Sequence, residues 1–68
     1  MKQGDTVTWS WGNGTAEGEV EDIRHERTTI RSDGSEITRN GTGDNPAVVI
    51  RQQDGTKVLK LASELDGT

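Results

Sequence analysis

The chain has no cysteine, one histidine, one proline and no phenylalanine or tyrosine among its 68 residues. Without cysteine there is no disulfide framework, and a single histidine leaves no His/Cys zinc site, so neither of the usual staples of a short chain is available. No stretch approaches the roughly 20 apolar residues of a membrane span, and the N-terminus has no apolar signal segment; the expectation is a cytoplasmic protein with no membrane contact. Apolar residues are also scarce. Val, Ile and Leu number 12, so the composition approaches that of disordered chains. Against disorder stand a net charge of only −4 and an apolar pattern that is strongly ordered. The acidic balance, with pI near 4.7, disfavours a general phosphate-binding surface.

What the sequence does have is nine Gly and nine Thr, with no apolar stripe of helical period longer than a turn. That pattern predicts short strands joined by tight turns. In Asp5–Trp11 the apolar residues alternate, placing Val7, Trp9 and Trp11 on one face and Thr6, Thr8 and Ser10 on the other. Gly12-Asn13-Gly14 ends this strand with a reversal. A second strand, from Ala16 to about Arg24, puts Ala16, Gly18 and Val20 on one face. The small Ala16 and Gly18 leave room there for a neighbouring Trp, and Glu17, Glu19 and Glu21 form a solvated face.

Asp33-Gly34 suits a two-residue hairpin turn, and sets Ile30 opposite Ile37 and Arg31 opposite Glu36. Asp54-Gly55, read the same way, sets Ile50 opposite Leu59, Val48 opposite Leu61 and Lys60 opposite Val49. Ala62–Leu65 reads as one helical turn with Ser63 as its cap and Leu65 plugging the core, followed by a frayed tail, Asp66-Gly67-Thr68. Asn40–Pro46 is the longest stretch without apolar residues and reads as a loop. The expected fold is all-β: a single domain over 1–68, ordered from about 3 to 65. It is a small closed barrel of about five short antiparallel strands with a terminal helical turn. Its core is Val7, Trp9, Val20, Ile30, Ile37, Val48, Ile50, Leu59, Leu61 and Leu65.

These residues also carry a resemblance. The run Gly4-Asp5-x-Val7-x-Trp9-x-Trp11-Gly12-x-Gly14-x-Ala16-x-Gly18-x-Val20 is followed by Thr38-Arg39-Asn40-Gly41, Asp44-Asn45-Pro46-Ala47 and Asp54-Gly55-x-x-Val58-Leu59-Lys60-x-x-Ser63-Glu64-Leu65. Together they resemble the hypervirulence-associated protein Tudor-domain family over nearly the whole chain. The resemblance implies an SH3-like or Tudor-like small β-barrel, often a short stand-alone bacterial protein, with no established biochemical role. It does not bring methyl-lysine recognition with it. That chemistry needs a cage of several aromatic rings, and this chain has two tryptophans.

Candidate binding residues are few. Trp11, at a strand end beside a Gly-rich turn, is the better of the two tryptophans for a surface role; Trp9 reads as core. Arg39, Asn40, Asp44 and Asn45 offer donors and acceptors on the long loop, with an Arg39–Asp44 pair as the purely structural alternative. Lys60 adds a positive charge. Arg24, Arg27, Arg31 and Arg39 follow the glutamates in sequence, and pairing with Glu26 and Glu36 accounts for them. His25 reads as an exposed surface residue, and no serine sits in a nucleophile context. No metal or cofactor is implied. The expectation is therefore a non-catalytic binding module for a protein or peptide. A nucleic-acid-binding barrel using the arginines and Trp11 is the alternative, and an oligomer-forming unit is a third reading.

Overall fold

The computed structural model describes residues 2–32 and 34–65; of Trp11 it describes the backbone alone. Six strands form: β1 (Thr6–Trp11), β2 (Gly14–Arg24), β3 (Arg27–Ser32), β4 (Ser35–Asn40), β5 (Ala47–Arg51) and β6 (Lys57–Leu61). One 3-10 turn, Ala62–Glu64, follows. The fold is all-β and antiparallel, as the pattern predicts, and consistent with the Tudor-like fold that the resemblance implies, with one strand more than the expected count and with two sheets that strand pairing does not join into the expected closed barrel. The strands group as a four-stranded sheet in the order β1-β2-β5-β6 and a separate β3-β4 hairpin. No helix among the described residues is long and apolar enough to cross a membrane.

The first hairpin turns on two residues, Gly12 and Asn13, between the paired Trp11 and Gly14. Gly12 adopts φ +48°, a left-handed conformation that glycine takes without a Cβ clash. This register sets Trp9 opposite Ala16 and Val7 opposite Gly18, so the bulky side chains of β1 face the small residues of β2. Trp9 is buried, as expected.

Strand β2 changes parity halfway along. A bulge between Val20 and Asp22 inserts one extra residue, after which Ile23, opposite Val48, takes the core side. Asp22 is thereby kept out of the core, which a strict two-residue alternation would have placed it in.

The β3–β4 register is the expected one, with Ile30 opposite Ile37 and Arg31 opposite Glu36. Gly34 is left-handed at φ +78°; Asp33, its expected turn partner, lies outside the described residues, as do residues 66–68 of the expected tail.

The β5–β6 register differs from the expected one by a residue. Ile50 faces Val58, Val49 faces Leu59, and Lys60 faces Val48 rather than Val49. The cause is the turn. Gly55 N–H donates to Gln52 O at 2.9 Å, so Gln53 and Asp54 are the central residues of a four-residue turn and Gly55, at φ +92°, follows them. That is a three-residue loop with a left-handed glycine, not the two-residue loop that an Asp-Gly pair first suggests. Asp54 Oδ1 accepts from Thr56 N–H at 2.9 Å and braces the loop.

Strand β5 is apolar on both faces, and the core is accordingly two clusters. Val48 and Ile50 pack with Val7, Trp9 and Val20, with Leu65 and Ala62 closing over them. Ala47 and Val49 pack with Leu59 on the other side, where Ile30, Ile37 and Leu61 cover them. The β3–β4 hairpin therefore lids the β5–β6 half of one sheet face. Among the described residues no such lid covers the β1–β2 half of that face, which carries Thr6, Thr8, Glu17 and Glu19.

Candidate functional site

Two of the candidate residues, Asn45 and Arg39, converge on the 3-10 turn, where they hold the fold together; a third, Lys60, acts there only through its charge. Asn45 Nδ2–H donates to Ser63 Oγ at 3.0 Å while Asn45 Oδ1 accepts from Ser63 N–H at 2.9 Å. Ser63 is thus gripped by the loop and does not cap the turn; the residue before the turn is Leu61, whose N–H donates to Glu64 Oε1 at 2.8 Å. Arg39 Nε lies 3.5 Å from the same Glu64 oxygen, and Arg39 Nη1 donates to Thr38 O at 3.0 Å. The expected Arg39–Asp44 pair is replaced by Arg39–Glu64, because Arg39 lies on the hairpin face turned towards the end of the chain. The Leu61 hydrogen bond, helped by the positive charges of Arg39 and Lys60, holds the Glu64 carboxyl below its ordinary pKa.

The remaining candidates are not gathered there. Asn40 is exposed opposite Arg27 at the end of β4, and Asp44 is exposed on the loop. Trp11 closes β1 beside the Gly12–Asn13 turn, and its side chain lies outside the described residues. The loop itself is tied down. Thr42 N–H donates to Asn45 O, Ala62 N–H to Pro46 O, and His25 Nδ1 lies 3.2 Å from Thr42 O, where it can only be a donor. A Cβ on Gly41 would stand 2.5 Å from Arg24 O, 2.7 Å from Ala47 N and 2.8 Å from Glu26 O, so the loop passes against backbone where only glycine fits.

The arginines are mostly committed to carboxylates. Arg24 pairs with Asp22 at 3.1 Å and Glu26 at 3.4 Å, and Arg31 with Glu36 at 3.6 Å. Lys57 pairs with Glu21 at 2.8 Å. These are exposed pairs, each contributing little stability, but they lower the positive charge on offer to a polyanion.

The open feature of the surface lies elsewhere. A groove of about 490 Å³ runs from the uncovered face of β1–β2 to the β5–β6 turn, lined by Thr6, Glu17, Glu19, Arg51, Gln52 and Gln53 across the backbone of Gly18 and Gly55. A smaller hollow of about 270 Å³ between Glu17 and Gln52–Asp54 adjoins it. Glu17 and Glu19 make no ion pair among the described residues, unlike Glu21. The sequence pattern marks both glutamates as a solvated face and does not single out Gln52 or Gln53. No sequence signal marks the groove: it follows from an eleven-residue strand whose partners of six and five residues each cover one half of it, a pairing set by the fold.

A family model described as "Hypervirulence associated proteins TUDOR domain" matches residues 4–65 of the chain. No curated protein and no solved structure matches it.

Proposed function

Because the chain belongs to the hypervirulence associated protein TUDOR domain family, by a match that takes in all six strands, we propose that it is a non-catalytic binding module of the bacterial cytoplasm whose partner is a protein or peptide segment. The observation that carries this reading is the open groove between β2 and the β5–β6 turn. It is a concave surface with exposed hydrogen-bonding side chains on a sheet, which suits recognition of an extended chain. Its lining holds no histidine, lysine or serine, and the one histidine of the chain is engaged with the Thr42 carbonyl. The long loop, in contrast, has Asn45 occupied in holding the 3-10 turn, and Arg39, which lies in β4 and not on the loop, is turned to Glu64, so this region supports binding less than the sequence suggests. A nucleic-acid partner also draws less support, since Arg24, Arg31 and Arg39 each face a carboxylate.

Panning a random library of short peptides against the immobilised protein tests this function, followed by amide NMR with the best binder. The expected result is convergent sequences that shift amides of Glu17–Glu19 and Arg51–Gly55. A folded protein that enriches no sequence would contradict it.

A further inference from the structure

Strand β2 has eleven residues and no single neighbour that covers it. β1 pairs with Gly14–Glu19 along one edge, and β5 pairs with Glu19–Arg24 along the other. Each half of β2 would therefore have one bare edge. At the Arg24 end the chain's own N-terminal segment closes part of the gap: Gly4 N–H donates to Val20 O at 2.9 Å, Val20 N–H to Asp5 O at 2.8 Å, and Gln3 Nε2 to Glu21 O. At the Gly14 end nothing comparable happens. β5 leaves the sheet at Arg51, the chain turns through Gln52–Gly55, and no strand among the described residues pairs with Gly14–Gly18 on the side away from β1. The groove begins where this bare stretch meets the paired half of β2, at Glu17 and Gly18, with the β5–β6 turn as its far wall.

We propose that the open Gly14–Gly18 edge of β2 accepts an extended, lysine- or arginine-bearing segment of a partner protein as an added strand seated in this groove. The inference rests on the peptide-binding reading above and specifies the peptide's chemistry and geometry. Backbone groups on an unpaired edge supply hydrogen bonds to any extended chain, and the side chains beside them supply the selection. Here the selection is for positive charge. Glu17 and Glu19 stand on the uncovered face beside the edge without ion-pair partners, and Asp54 faces Glu17 across the smaller hollow; Arg51 is the one opposing charge. Every second residue of an added strand projects to the face that carries the two glutamates, so a lysine opposite Glu17 also lies diagonal to Glu19, whose direct neighbour across the strands is Arg51. A second copy of this chain, itself at −4, and a nucleic acid both bring negative charge to the same place.

The probe is a short fluorescent peptide alternating lysine and threonine, compared with its glutamate–threonine counterpart and with a lysine–threonine peptide N-methylated on every backbone amide. The lysine peptide is expected to bind at low salt and shift the Gly14–Gly18 and Gln52–Gly55 amides. The glutamate and N-methylated peptides are expected to fail, the latter because it cannot complete a ladder. Glu17→Lys/Glu19→Lys, at exposed positions that leave folding intact, should weaken binding about tenfold or more, while Glu36→Lys should not. Equal binding of the N-methylated peptide overturns strand addition, and no binding of the lysine peptide overturns the charge selection. Groove amides protected by self-association, seen with rising protein concentration, assign the edge to a second copy instead. If the lysine peptide fails while library panning still yields binders, the binding function stands and this inference falls.

Discussion

Asn45 and Ser63, eighteen positions apart, hydrogen-bond each other twice, amide to hydroxyl and backbone N–H to amide oxygen. This clasp fastens the β4–β5 loop to the 3-10 turn, and through the turn it seats Leu65 and Ala62 over the first core cluster. In so thin a core, the last turn acts as a lid.

Asn45→Ala should therefore lower unfolding stability by about 1–2 kcal/mol, two hydrogen bonds of ordinary strength. Asp44→Ala, next to it and exposed, should change stability by less than about 0.5 kcal/mol. Urea unfolding followed by tryptophan fluorescence measures both. Equal midpoints for the two variants would mean that the clasp contributes nothing.

Gly18→Ala should be more damaging than a usual strand substitution of glycine by alanine. A Cβ there stands 2.5 Å from Ile50 Cγ2 and 2.9 Å from Arg51 O. Overpacking of this kind costs about 1–3 kcal/mol. Ile50→Val in the same chain keeps Cγ2 but loosens its surroundings, so the double variant should lose less than the sum of the single losses. Strict additivity in urea midpoints would place the clash elsewhere.

The second cluster predicts a contrast within β3. Ile30 packs onto Ala47, Val49 and Leu59, whereas the neighbouring Arg31 points outward, its side chain 75% exposed. Ile30→Asp buries a charge against that cluster and should unfold a domain of this size. Arg31→Asp sets like charges opposite each other at Glu36 and should cost about 1 kcal/mol at most. Thermal melts that coincide would overturn the hairpin's packing.

Acid should weaken the fold in a defined window. The folded-state pKa of Glu64 is held below 4.5, chiefly by the Leu61 N–H, so this stabilisation is full above the unfolded value and lost as pH falls through the folded one. Asp54, whose pKa is lowered mainly by the Thr56 N–H, adds to the loss at lower pH. Glu64→Gln keeps an acceptor oxygen but cannot titrate. Its urea midpoint should fall less than that of the unaltered protein below pH 4.5. Parallel pH profiles would show that Glu64 is not the group responsible.

The parts of the fold that the sequence made legible are those where one strand face is polar. Val7 and Trp9 alternate with Thr and Ser, and Ile30 and Ile37 are flanked by Arg31 and Glu36, so one register alone buries the apolar set. β5 gave no such guide. Ala47 through Ile50 are all buried, so a one-residue slip exchanges one apolar pairing for another and the pattern cannot choose. The turn decides, and Asp-Gly fits two loop lengths. Of the candidate site, Arg39 and Asn45 were recognisable as residues with tasks, but the tasks depend on Glu64 and Ser63 arriving from the end of the chain. The groove was hidden for a similar reason: it exists because β5 parts from β2 at Arg51, a long-range event that neither segment announces.

The most direct test of the account is hydrogen exchange of the individual β2 amides, free and with the alternating lysine–threonine peptide. In the free protein, amides of Gly14–Gly18 that point away from β1 should exchange fast, while those of Val20–Ile23 that face β5 should be protected. With the peptide, the fast set should slow and the second set should stay unchanged. Protection of the Gly14–Gly18 edge already in the free protein, or no change there when the peptide is bound, would contradict the claim that this edge is the docking site.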